Sequence, residues 1–304
     1  MPIASPAQPG RHVMRGIALR IGAASCFALM GALLKLASLR GANLAEMVFY
    51  RSLFGLPVVL FWVGTSVGWR ALTTRRPMVH VTRGALGITA MFCTFQALRL
   101  LPLGEATTIN FTTPIFATLL AAMALGEGVG ARRWAAALVG FAGVAVIMRP
   151  GASTDAIPPL GVAFGLAAAC CGAVVTVALR QLRDSEHVAA IVFWFLTASA
   201  LVGLLMMAVF GVGADPQAVA LMAAAGLAGG LAQILMTGSL HAAPIAVLAP
   251  FDYLQLIIAL MLGWLLLETV PTLNTYAGAA LIAGSGLFTA WREHARHRAT
   301  SSHL

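Results

Sequence analysis

Apolar runs long enough to cross a bilayer follow one another along nearly the whole chain. A spanning helix needs about 20 apolar residues. Ten stretches of the 304-residue sequence qualify: 16–38, 43–65, 79–100, 105–125, 132–149, 159–180, 187–210, 216–238, 244–267 and 272–291. Turn or charge signals part them, among them Gly41-Ala42-Asn43, Leu101-Pro102, Gly213 to Pro216 and Glu268 to Pro271. Hydrophobic residues make up 60% and charged residues 10%, against ~45–50% and ~25% in soluble domains. A soluble domain of this size cannot bury so much apolar surface. A β-barrel would alternate within segments of about 10 residues, and these runs are continuous. The expected fold class is therefore an all-α polytopic membrane protein with ten transmembrane helices.

The net charge of +9 comes from eighteen arginines and one lysine, Lys35. They cluster at the ends of apolar runs, which points to membrane orientation and not to nucleic acid as a partner. With ten spans, both termini and the even-numbered loops share one side. That side receives fourteen basic residues, including Arg15, Arg20, Arg83 and Arg292, and the other receives four: Lys35, Arg40, Arg99 and Arg149. Arg51 lies within a span. The asymmetry places both termini in the cytoplasm of a chain in the cell inner (plasma) membrane. Cys26, Cys93, Cys170 and Cys171 fall in apolar stretches without disulfide or metal spacing, so they read as packing residues.

The second half repeats landmarks of the first. Ala23 to Ala28 aligns with Ala168 to Ala173, Pro102 with Pro244, Glu127 with Glu268, and Ala136-Ala137-Leu138-Val139 with Ala279-Ala280-Leu281-Ile282. Five spans per half is an odd number, so the second half enters from the opposite side. The expectation is two inverted five-helix repeats with a substrate site between them near the midplane. The boundaries are a cytoplasmic tail over 1–15, a first repeat over 16–150, a linker over 151–158, a second repeat over 159–292 and a cytoplasmic tail over 293–304.

These features resemble the EamA family of the drug/metabolite transporter superfamily over about 16–292. The segments carrying the resemblance are Leu101-Pro102-Leu103-Gly104-Glu105-Ala106 through Pro114-Ile115-Phe116 to Leu125-Gly126-Glu127, then Pro250-Phe251-Asp252-Tyr253 to Leu265-Leu266-Leu267-Glu268, and Phe49-Tyr50-Arg51. Arg76-Pro77-Met78-Val79-His80 with Arg83-Gly84 is similar to the S-adenosylmethionine uptake transporter branch. The resemblance implies a permease for a small organic metabolite, with no cofactor and no metal.

Asp252 is the sharpest candidate residue, about eight residues into the ninth span. An ionised carboxylate there costs ~2.5–3.5 kcal/mol on insertion scales, so it should face the bundle interior. It either binds a cationic or amine-bearing substrate, or takes up a proton and couples transport to the proton gradient, or satisfies backbone groups freed by Pro250. Anchoring the repeats on Pro102 and Pro244 sets Asn110 opposite Asp252 and Thr113 opposite Gln255, each pair on one helix face. The threonines either touch substrate or bond back to their own helix beside Pro114. Tyr253, next to Asp252, is the best-placed aromatic residue for a planar substrate. Arg51 is an anion anchor or a structural residue, with Glu46, the carbonyls of a neighbouring helix or Asp252 as partner. Pro57, Pro114 and Pro250 mark kinks or gating points. Gly161-x-x-x-Gly165 and Gly226-x-x-x-Gly230 favour close helix contact within one chain, with a monomer or homodimer both open. Glu127 and Glu268 read as helix–loop structural residues, and Asp184 to His187 as a solvated cytoplasmic loop.

No phosphate-binding loop and no His-Glu-x-x-His occurs, which argues against an ATP-driven pump or a metal hydrolase. The functional expectation is alternating-access transport of S-adenosylmethionine or another cationic or zwitterionic metabolite. Export of amino acids or related metabolites, or a membrane scaffold or channel, are the alternatives.

Overall fold

The structure is a computed structural model that describes residues 9–74, 77–124, 131–148, 157–182, 186–243 and 245–301. Among these, the regular structure is helical: α1 (Pro9–Leu39), α2 (Leu44–Trp62), α3 (Pro77–Leu100), α4 (Leu103–Asn110), α5 (Thr113–Ala124), α6 (Ala131–Met148), α7 (Pro159–Leu182), α8 (Val188–Phe210), α9 (Pro216–Ala242), α10 (Ile245–Leu267) and α11 (Leu273–Ser301). Among the described residues, six segments are long and apolar enough to cross a membrane: His12–Leu39, Leu44–Val67, Pro159–Thr176, Val188–Phe210, Pro216–Ala242 and Pro250–Leu267. The expected tails are partly helical, since α1 starts at Pro9 and α11 runs to Ser301. Glu127, Pro244, Arg149 and most of the 151–158 linker lie outside the described residues.

Local signals explain where the helices begin and end. Asn43 and Glu46 form a reciprocal capping box on α2, which satisfies two backbone donors that a helix start leaves free. Asp215 accepts from the Ala218 N–H at 2.6 Å ahead of Pro216. One carboxylate oxygen of Glu46 also accepts from the N–H groups of Gly213 and Ala214, both at 2.8 Å. The loop before α9 is thereby tied to the start of α2. Glu268 ends α10 with φ at 52°, and Thr269 donates its N–H back to the Gly263 carbonyl at 3.1 Å.

The principal packing partners all join a helix before residue 149 to one after 159. α1 lies against α9 and α10, α2 against α8 and α9, α3 against α7, and α6 against α11. Small residues allow this closeness. A Cβ on Gly226 would come within 2.8 Å of the Arg51 carbonyl oxygen, and one on Gly230 within 2.6 Å of the Gly55 carbonyl oxygen. Gly161 and Gly165 face Leu101 and Ile109 in the same way. Both glycine pairs therefore serve packing within the chain.

One end of α3 is held by the single lysine. Lys35 Nζ donates to the carbonyls of Leu98 at 2.8 Å, Arg99 at 3.4 Å and Leu101 at 2.7 Å. These are orphan carbonyls at a helix C-terminus, where a cation is favoured.

Gly230→Ala is expected to lower the unfolding free energy by about 1–3 kcal/mol through overpacking against backbone. Gly284, where a Cβ meets nothing within 4 Å, should tolerate alanine with no loss. Thermal unfolding midpoints in detergent check both.

Candidate functional site

The expected fourth span is not one helix. α4 stops at Asn110 and α5 starts at Thr113, with Phe111 between them at φ −70° and ψ 0°. The cause is Pro114, which has no N–H to give the Asn110 carbonyl. Hydroxyls fill the gap. Thr113 Oγ1 donates to the Asn110 carbonyl at 2.6 Å and Thr112 Oγ1 to the Ile109 carbonyl at 2.8 Å. Thr108 Oγ1 donates to the Gly104 carbonyl at 2.7 Å. The threonine protons are spent on backbone, and the break leaves Asn110 at the end of a short helix inside the bundle.

Asn110 and Gln255 line one cavity, together with Thr107 of α4, Thr94 of α3, and Phe27 and Gly31 of α1. Its volume is about 40 Å³, room for about three water molecules. Ligand pockets measure ~300–1,000 Å³, so a metabolite enters only if the helices part.

Asp252 lies on α10 and points at α1. Arg20 grips it with both ends of the carboxylate: Nε to Oδ1, and Nη2 to Oδ2 at 2.7 Å. The two side chains are 13% and 32% exposed. A bidentate guanidinium–carboxylate pair is a strong directional contact, and this one links chain segments 232 residues apart. Tyr253 turns the other way. Its ring stacks on Phe111 at 5.1 Å, and its hydroxyl sits where a Cβ on Gly286 would lie, 2.1 Å away. It therefore braces the α4–α5 break against α10 and α11.

Arg51 meets neither of the two expected carboxylates. Asp252 belongs to Arg20, and Glu46 is occupied by backbone N–H groups of Asn43, Gly213 and Ala214. Arg51 is 2% exposed. It donates through Nη1 to Met91 Sδ at 3.5 Å and packs 5.8 Å from the Phe195 ring centroid. Pro57 and Pro250 sit inside α2 and α10 on exposed faces, whereas Pro114 stands at the helix break.

Comparison with known families matches two stretches of the chain. The description "EamA-like transporter family" matches residues 14–149 and again 159–291. The chain belongs to the EamA-like transporter family. Three EamA-like relatives give its range. The pseudopaline exporter of Pseudomonas aeruginosa strain UCBPP-PA14 is 31% identical over 270 residues, 88% of this chain and 93% of that protein. The S-adenosylmethionine uptake transporter of Rickettsia prowazekii is 27% identical over 248 residues, 82% and 83% of the two chains. The riboflavin transporter of Rhizobium johnstonii is 32% identical over 251 residues, 81% and 79%. A crystal structure at 21% identity shares the fold, with a TM-score of 0.66 over 93% of this chain and 98% of the other. This EamA-like chain is thus a multi-pass membrane protein and a transporter of small molecules.

Two buried groups of the EamA-like bundle were not singled out from sequence. Glu105 is 6% exposed and accepts from Thr275 Oγ1 at 2.8 Å, tying α4 to α11. Glu186, expected in a solvated loop, is 7% exposed. It lies 3.4 Å from His80 Nε2 and accepts from Thr74 Oγ1 at 3.0 Å. A buried acid with partners on other helices has no local sequence signal; only the mismatch of an acid beside apolar runs hints at it.

A double-mutant cycle on Arg20→Gln and Asp252→Asn should give a coupling of about 1 kcal/mol in unfolding, the scale of a half-exposed pair. Thr113→Val should cost about 1 kcal/mol by orphaning the Asn110 carbonyl. Chemical denaturation in mixed micelles measures both.

Proposed function

We propose that this chain is a secondary transporter that carries a small organic metabolite across the cell inner membrane by alternating access. The reading takes the ten apolar runs as ten spans, with α4 and α5 together forming the fourth, and takes both termini as cytoplasmic. Two inverted five-helix repeats are supported by the packing: exchanging the halves turns the α1–α9 contact into α7–α3, and leaves α2–α8 and α6–α11 as themselves. The twofold family match supports the duplication.

The observation that carries the mechanism is the Arg20–Asp252 pair. It joins α1 of one half to α10 of the other, and Gln255 of the cavity lies three residues along from Asp252. A substrate bearing an amine or sulfonium group competes with Arg20 for the carboxylate. When it wins, the bond between the halves is lost and the binding energy drives opening, because a ligand shifts a two-state equilibrium only through contacts that differ between states. A proton on Asp252 would release Arg20 in the same way, which is the route to proton coupling. S-adenosylmethionine carries the required positive charge, and its uptake is the named role of a relative at 27% identity. Export of an amino-acid-like metabolite is the second reading, favoured by the 31% identity to a pseudopaline exporter over 88% of the chain.

The test is counterflow of labelled S-adenosylmethionine into proteoliposomes, with amino acids, nucleosides and riboflavin as competitors. Saturable exchange is expected. Asp252→Asn should raise the half-saturating concentration about tenfold, equivalent to ~1.4 kcal/mol. Arg20→Gln should lower it, because the competitor is gone. Equal half-saturation in all three proteins would remove Asp252 from the substrate path.

A further inference from the structure

Two arginines inside the bundle lack a counter-charge among the described residues. Arg51 is 2% and Arg83 3% exposed. Arg51 Nε, Arg83 Nε and Arg83 Nη1 are buried without a hydrogen-bond partner. The buried and part-buried described carboxylates are engaged elsewhere: Glu46 by backbone, Asp252 by Arg20, Glu105 by Thr275, and Glu186 by Thr74 and His80. Both guanidinium groups instead pack on the same Phe195 ring, Arg83 at 4.5 Å and Arg51 at 5.8 Å from its centroid. An aromatic face offsets only part of the cost of holding a cation away from water. Two such cations near one ring repel each other as well.

The surroundings are shaped around these groups. Arg83, Gly87 and Met91 are spaced i, i+4, i+8 and form one stripe of α3. A Cβ on Gly87 would fall 2.2 Å from Arg83 Nη1 and 2.8 Å from Phe195 Cε2, so a side chain there would push the guanidinium or the ring from its place. On α9, a Cβ on Gly229 would meet Met30 Sδ at 2.7 Å and Arg51 Nε at 3.1 Å. Arg51 therefore lies beside two thioethers, Met30 and Met91. Those methionines sit next to cavity-lining positions: Met91 is one turn before Thr94 on α3, and Met30 lies between Phe27 and Gly31 on α1. Unbranched methionine side chains rearrange readily.

We infer that Arg51 and Arg83 together form a binding site for a carboxylate group of the transported molecule, reached from the central cavity when Met30 and Met91 swing aside. This deepens the transporter reading and rests on it. The planar guanidinium fork matches the two oxygens of a carboxylate, and the unpartnered N–H groups are the donors it would occupy. Among the described residues no carboxylate lies within ion-pair distance of Arg51 or Arg83. A substrate carboxylate supplies that missing partner on binding. The substrate class is then a carboxylate-bearing metabolite; if it also has a cationic group, that group goes to Asp252.

The test is thermal unfolding of the purified full-length chain in detergent at constant ionic strength, followed by tryptophan fluorescence. The probes are acetate, succinate and methionine, each compared with its amide, and inorganic phosphate and chloride. At least one carboxylate should raise the midpoint by about 2–5 °C while its amide does not, the size expected for a ligand well above its dissociation constant. Arg51→Gln and Arg83→Gln should abolish the shift, Arg83→Lys should keep part of it, and Arg40→Gln, at an exposed arginine, should keep all of it. Equal responses to carboxylates and amides in the unaltered protein overturn the proposal, whether or not the variants fold. Responses to phosphate or chloride as large as those to carboxylates overturn it too, since they mark a site for inorganic anions. Counterflow without a carboxylate response would sink this site and leave the transporter reading standing; a carboxylate response without counterflow of any panel metabolite would keep the site and sink S-adenosylmethionine and the other panel metabolites as substrates.

Discussion

Among the described residues, the bidentate contact between Arg20 and Asp252 is the one ion pair that joins α1 to α10. α1 is packed along α9 by small residues, which permit sliding as easily as they permit closeness. The ion pair fixes where α1 stands relative to α10. The central cavity lies between those two helices and α3, α4 and α7, so its small size follows from that placement. The pair is part-buried, so its worth lies in direction more than in strength. It is also a contact that a charged ligand is equipped to replace.

The break between α4 and α5 obeys the same logic at the level of the backbone. Irregular backbone is tolerated at membrane depth only where the freed groups are satisfied inside the protein. Pro114 removes one donor, and Thr112 and Thr113 return two. The stacked pair of Phe111 and Tyr253 then closes the break from the side of α10. The consequence is a polar helix end, Asn110, facing a cavity that Gln255 lines from the other half.

Much of this was legible in the residues, because helix limits are written in local chemistry. Asn43 with Glu46, and Asp215 with Pro216, mark starts that the structure places within a residue of expectation. The all-helical membrane class followed from run length alone. The break in span four was legible in its parts, Pro114 beside two threonines, yet apolar periodicity runs straight through it. Pairings were not legible. Arg20 counts as one more basic residue on the cytoplasmic side until α10 brings Asp252 to it from 232 residues away. Arg51 invited a partner at Glu46 because the two are close in sequence, but Glu46 turns to cap its own helix and hold a distant loop. Charge balance within the bundle is a property of the fold, and sequence spacing does not encode it.

Lys35 is the chain's one lysine, and its ammonium is wrapped by three carbonyls at the end of α3 at 8% exposure. Amine-directed reagents therefore meet a protein whose lone lysine amine is shielded in this conformation. Acylation of that nitrogen requires the end of α3 to separate from α1. The rate at which such a reagent modifies Lys35 is thus a clock for the parting of these two helices, built into the native chain without any engineered label.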